Sequence, residues 1–308
     1  MSETSIDLVK NKLLSIAASG IYVNFKPDIL QNTYNEISKF LSVNAESIDT
    51  IELFNLFELQ FYISLMTNHD VEAKTSLDRL VDQFGFEKSQ RVKLLQSIYF
   101  EAMGDDEAAM KVLGQNADEL KLSRRLITFS RKPDNNEDYI ASLNYYLDLQ
   151  PSDVITWAEL AEEYRTIGHY EKGIHCLQEI LLQEPYAYNI FYKVGLFYYY
   201  QFLQEFTNKT HDKKDKLLEA MSVLKNAKNN FLRSIEICDS YSTSWLGIYL
   251  ISKLDFNQAL LSKLADNKQV KVYLEDNSKL EALSKQKIIK FNKLDGEEEF
   301  DIFLNKHI

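Results

Sequence analysis

The chain has 308 residues, of which 45% are hydrophobic and 26% charged, and its formal net charge is −11. That apolar share supplies a core, and the acidic balance excludes general nucleic-acid binding, which needs a basic footprint. With 4 prolines and 9 glycines there is little room for loops, and no stretch alternates as a half-buried strand would, so the chain reads as all-α.

Taken in order, the N-terminus begins Met1-Ser-Glu-Thr-Ser-Ile-Asp, without the basic start and apolar run of a secretory signal. Residues 1–50 read as an N-terminal helical cap, with its helical pattern over Ile6 to Phe40. Leu56–Met66 then leads through Asn68-His69-Asp70 to Ala73, Leu77 and Leu80, which suggests two helices joined by a tight turn. The same order returns in Val92–Phe100, Gly104, Ala109 and Leu113, and the interval from Ala73 to Ala109 is 36 residues. A further first helix is expected around Glu119–Ser130, paired with a second that contains Tyr139–Tyr146 and ends at Pro151.

The clearest copy follows. Pro151 and Pro185 lie 34 residues apart. Between them come Trp157, Leu160, Ala161, Tyr164, Gly168, Gly173, Leu177 and Ile180. A 34-residue period with this order of large, small and aromatic positions is the tetratricopeptide (TPR) repeat. Counting Val154 as position 1, Trp157, Leu160, Ala161 and Tyr164 share one stripe of a first helix. Ala161 is small so that a second helix can approach. Gly168 breaks the first helix for a tight reversal. Gly173 is the small contact on the second helix, and Pro185 stops it. In this frame Trp157 is a core wedge between the two helices.

The next first helix, Phe191–Tyr200, places Gly195 at position 8 and Tyr198 at position 11. Its partner is delayed by an insertion over about 202–218, which holds Lys209, His211, Lys213, Lys214 and Lys216. The second helix then resumes with Ala227 and Phe231, and the frame predicts a large residue where Trp245 stands. Repeats therefore occupy 51–253, and 254–308 reads as a C-terminal helical cap with an irregular acidic tail. Because each repeat touches only its neighbours, the whole is expected to form one continuous TPR-type α-solenoid of antiparallel helix pairs.

Catalytic patterns are absent from the sequence. The glycines are scattered and form no phosphate loop. His169 and His175 straddle a turn, a poor arrangement for joint metal ligation. Asp295-Gly-Glu-Glu-Glu299 lacks the alternating oxygen ligands of a calcium loop. Cys176 and Cys238 read as free thiols of a reducing compartment. Asn208-Lys-Thr210 matches a glycosylation acceptor that such a compartment leaves unused. The most apolar stretch, Ile190 to Phe206, is interrupted by Lys193, Gln201, Gln204 and Glu205 and is too short for a bilayer, which takes roughly 20 apolar residues. The expectation is a soluble, cytosolic, non-catalytic protein without cofactor or metal.

Function then rests on the groove positions of the first helices. In one repeat these are Ile155, Ala158, Glu162, Arg165 and Thr166; in the next they are Asn189, Tyr192, Leu196, Tyr199 and Tyr200. Two tyrosines and a leucine on a nominally exposed face suit a partner helix or peptide. The alternative is that these residues pack beneath the insertion, whose lysines read as a solvated loop or as a contact to an acidic partner or anionic lipid.

Arg91-Val-Lys-Leu94, Tyr99-Phe-Glu-Ala-Met103, Trp157-Ala-Glu-Leu-Ala-Glu-Glu-Tyr164 and Gly173-Ile-His-Cys-Leu-Gln-Glu-Ile180 together resemble the ER membrane protein complex subunit 2 family. The resemblance covers roughly Leu56 to Leu254; the termini and the 202–218 stretch are less family-like. It implies a peripheral scaffold on the cytosolic face of the endoplasmic reticulum, within a hetero-oligomer that inserts transmembrane and tail-anchored proteins. Its partners would be cytosolic parts of subunits 3 and 5 of that complex, with membrane contact only through them. The alternative is a TPR co-chaperone that clamps the carboxylate tails of chaperones. That clamp needs Lys and Asn at groove positions 5 and 9, where this chain has Ala158 and Glu162, and Leu94 and Ile98 in an earlier copy.

Overall fold

The computed structural model describes residues 3–86, 89–114, 119–132, 136–206 and 213–307. The chain divides into two compact units, Met1–Tyr139 and Ile140–Ile308.

In the first unit, α1 (Glu3–Ser19) and α2 (Pro27–Asn44) pack against α3 (Thr50–Met66). Then α3 pairs with α4 (Asp70–Phe84), α5 (Gln90–Ala102) pairs with α6 (Asp106–Leu113), and α7 (Leu120–Ile127) packs on both α5 and α6. The core is continuous from Leu13 through Ile37, Leu56, Phe61 and Leu77 to Leu95. Ala73 and Ala109, the small positions of the two second helices, are fully buried.

The second unit contains most of α8 (Glu137–Leu149), which stops short of Pro151, followed by α9 (Val154–Thr166) and α10 (Tyr170–Gln183). Next come α11 (Tyr188–Phe206), α12 (Lys214–Ile237), α13 (Ser242–Lys253), α14 (Phe256–Leu264), α15 (Lys268–Asn292) and α16 (Glu297–His307). Each of α9 to α12 packs on the next, α12 packs on α13, and α15 lies along α13.

One turn recurs in three repeats, and its chemistry explains the sequence. Asn68, Gly104 and Gly168 have φ of 58°, 81° and 75°. The following amide then reaches back to the carbonyl five residues earlier: His69 to Ser64 at 2.8 Å, Asp105 to Phe100 at 2.9 Å, His169 to Tyr164 at 2.9 Å. This left-handed closure satisfies carbonyls the ending helix would leave bare, and only glycine or asparagine adopts it cheaply. The second helix starts two residues after each of these positions. Helix starts are capped locally: Asp153 accepts from the amides of Ile155 (3.0 Å) and Thr156 (3.2 Å), and Asp105 from that of Ala108 (2.9 Å).

Three expectations meet a different structure. Within the 202–218 stretch, the described residues 202–206 and 214–218 are helical, because α11 continues to Phe206 and α12 begins at Lys214. Lys209, His211 and the Asn208 acceptor lie outside the described residues. The acidic C-terminal tail is a helix, α16, held by Phe300, which is 1% exposed and meets Tyr249 edge-on at 5.3 Å. Finally, Trp157 is a partly exposed side chain rather than a core wedge: its Nε1 donates to the Pro151 carbonyl at 2.9 Å and its ring stands edge-on to His175. Trp245, at the matching position, makes the same bond to Asp239, also six residues back, but is buried.

Candidate functional site

The repeat core assembles as its spacing requires. Leu160, Ala161, Leu177, Ala227, Phe231 and Trp245 are buried. Tyr164 and Tyr198 are half-buried, and Pro185 is exposed in the turn after α10. Two glycines mark close approaches. A Cβ at Gly173 would stand 2.7 Å from Phe197 and 3.3 Å from the Ala161 carbonyl. A Cβ at Gly195 would stand 2.8 Å from Phe231 and 3.0 Å from the Ala227 carbonyl. Gly247, on α13, closes on the opposite edge of the same Phe231 ring at 2.7 Å. The frame did not single out Gly247: it lies two residues before the small position counted from Trp245, where Tyr249 stands.

On α9 the groove positions form a mostly polar face. Ile155 is 76% exposed and Thr166 is exposed, while Ala158, Glu162 and Arg165 are half-buried. Arg165 donates Nε to Glu162 Oε1 at 2.8 Å, and this bond holds the Glu162 carboxyl below the usual carboxylate range.

On α11 the corresponding face is aromatic. Asn189 is exposed; Tyr192, Leu196, Tyr199 and Tyr200 are half-buried. Tyr192 lies 5.7 Å from Phe231 and 5.5 Å, edge-on, from Tyr241, which in turn meets Tyr188 at 4.9 Å. Tyr200 rests 5.7 Å from Tyr170 and 6.3 Å from Tyr199. Tyr192, Leu196 and Tyr199 all pack against the unit's core, and burial raises the hydroxyl pKa of Tyr192 and Tyr199 above the ordinary tyrosine value. Tyr192 and Tyr199 are therefore partly covered by the core and partly exposed. Tyr241 and Tyr188 extend the aromatic row. They sit at helix starts outside the positions the repeat pattern specifies, so no periodic signal marked them.

Burial pushes the Cys176 thiol pKa up to about 12, so it stays protonated and unreactive at neutral pH. Among the described residues no group of three or more His, Cys, Asp or Glu could hold a metal ion, and no helix is long and apolar enough to cross a membrane.

No protein-family model matches the chain. Individual relatives do. ER membrane protein complex subunit 2 of Saccharomyces cerevisiae is 27% identical over 288 residues, covering 89% of this chain and 95% of that protein. This chain is similar to ER membrane protein complex subunit 2. The subunit 2-A of Xenopus laevis is 29% identical over 157 residues, half of each chain, and the TPR repeat protein oca3 of Schizosaccharomyces pombe is 28% identical over 201 residues, 64% of this chain and 65% of that one. In structure, the C-terminal part of a TPR repeat-containing protein from Cytophaga hutchinsonii superposes with a TM-score of 0.50 at 13% identity, covering 94% of this chain and 98% of that one. The fold is an all-α TPR solenoid.

Proposed function

We propose that this chain is a non-catalytic scaffold subunit of the ER membrane protein complex, held at the cytosolic face of the endoplasmic reticulum by its partners. The observation that carries the reading is likeness to subunit 2 across 89% of this chain and 95% of the yeast protein, rather than over a few consensus repeats. A TPR body supports it physically, since stacked helix pairs present an extended concave surface while spending their apolar residues on neighbouring repeats. In this reading the α9–α11 face cradles cytosolic segments of the membrane subunits, those of subunits 3 and 5 first. The complex thereby supports insertion of transmembrane and tail-anchored proteins.

The test is affinity purification of the tagged full-length chain from detergent-solubilised membranes, with the co-purifying proteins identified. Recovery of the membrane subunits in stoichiometric amounts is expected. Recovery of the chain alone, or with chaperones only, overturns the reading. Ile155→Asp then addresses the groove, because a side chain 76% exposed contributes little to folding. Unchanged melting with weakened recovery is expected. Full recovery would remove that end of α9 from the contact.

A further inference from the structure

The furrow between α12 and α15 lies on helices other than the two that carry the candidate groove. It encloses about 710 Å³, with Leu218 and Leu232 at its ends along α12 and Lys268 and Leu280 at its ends along α15. At about 1.5 Å per residue these spans come to roughly 20 Å, nearly four helical turns. The floor is apolar. Met221 and Tyr273 are buried there, Leu218, Leu232 and Leu280 are half-buried, and Val272 keeps 50% of its surface.

The walls carry the opposite sign to the protein as a whole. Lys225, Lys268 and Lys279 are exposed along the rim, against one carboxylate, Asp276, on a chain whose net charge is −11. Lys228 lies deeper and is 5% exposed. Its Nζ donates to Asn277 Oδ1 at 2.8 Å and lies 4.4 Å from the centre of the Tyr273 ring.

We propose that this furrow docks an acidic amphipathic helix of a partner protein. Its apolar ridge would lie on the leucine floor, and its flanking carboxylates would meet Lys225, Lys268 and Lys279. A helix of about 14 residues spans a furrow of this length, and apolar anchors at helical spacing are what such grooves read. A lipid surface fits less well, because the leucines are recessed between two helices while the lysines stand outside them. The inference does not depend on the scaffold reading.

The experiment uses the full-length chain and a fluorescein-labelled 18-residue probe of Glu and Leu, with Leu at i, i+3, i+4 and i+7, followed by fluorescence anisotropy. Lys225→Glu/Lys279→Glu should weaken probe binding at least tenfold, and Val272→Ser several-fold. All three side chains are exposed, so melting should stay at the wild-type value. Equal affinity of wild type and the double variant overturns the proposal. So does binding to phosphatidylserine vesicles without binding to the probe, which would assign the lysines to lipid. Self-association that the same variants abolish would assign the furrow to a second copy, and also overturns it.

Discussion

Phe231 is clamped between two glycines on different helices, and this makes a sharp test of the repeat frame. Its ring is 1% exposed. A Cβ added at Gly195 would meet Cδ1 and Cε1 of the ring at 2.8 Å, and one added at Gly247 would meet Cε2 and Cζ at 2.7 Å. The ring cannot retreat from either without striking the other. Helix propensity alone says that Gly→Ala inside a helix stabilises by about 1 kcal/mol. Overpacking a filled core costs about 1–3 kcal/mol, and the upper end applies at Gly195, where the backbone carbonyl of Ala227 also stands at 3.0 Å. Gly195→Ala should therefore destabilise by about 2 kcal/mol net. In a Phe231→Leu background the smaller side chain can shift, so the penalty should fall by more than about 1 kcal/mol, a coupling within the range found for residues in contact. Urea denaturation of the four purified proteins, followed by helical circular dichroism, reads the cycle. A Gly195→Ala protein more stable than wild type would refute the clamp.

Other outcomes follow from single contacts. Trp245→Ala should cost about 3–5 kcal/mol as a large-to-small change in a closed core, whereas Trp157→Ala should cost less, because its ring keeps part of its surface in water; thermal melts that rank the two in reverse would contradict the burial. Asp153→Ala should cost about 0.5–2 kcal/mol, since it removes the cap on the first two free amides of α9, and Asp153→Asn should recover most of that in the same melt. Burial lowers the Lys228 pKa; Asp276 opposes this more weakly, and the like charge of Lys225 adds to it. Between that lowered value and about 10.4 the unfolded chain holds a proton the folded chain has lost, so this group's contribution to stability rises with pH. The difference in urea midpoint between wild type and Lys228→Met should grow in favour of wild type from pH 7 to pH 10; a constant difference would show that Lys228 keeps its proton throughout.

Much of the fold was legible because the repeat is written in residues that have one physical use each. The left-handed turn needs Gly104 or Gly168, or their substitute Asn68. The close helix approach needs Gly173, Ala73 or Ala109. What the period could not give was depth. Trp157 and Trp245 occupy the same position and donate the same hydrogen bond, yet only Trp245 is closed over. The difference lies in the following helices: Lys287 of α15 covers the Trp245 ring at 5.3 Å while pairing with Asp239, whereas the contact across from Trp157 is the exposed His175. That cover comes from 42 residues downstream, beyond any repeat-length window. The same limit hid Gly247 and the Lys228–Asn277 pair, whose members are 49 residues apart. On α11, periodicity placed Tyr192 and Tyr199 on one face, but it could not show that Phe231 and Tyr241 would reach that face and share the rings with the core.

The described parts of the 202–218 stretch show how an interrupted period can lengthen the helices on either side of it. Extra residues between two paired helices can be looped out, or they can lengthen both helices together. Looping orders little backbone but exposes whatever apolar side chains the segment contains. Lengthening costs about 1–2 kcal/mol of backbone entropy per residue, which only burial can offset. Here the added residues include Phe202, Phe206, Leu217 and, one turn further on, Met221, all buried in one cluster. Phe202 stacks on Phe206 at 6.0 Å and meets Phe256 edge-on at 5.1 Å. The lysines 213, 214 and 216 fall on exposed positions at the start of α12, where charge stays hydrated. Aromatic residues at helical spacing on one side of the break, and leucine and methionine on the other, favour the longer hairpin. The two elongated helices then pack along each other, and Tyr199 and Tyr200 on α11 keep part of their surface outward.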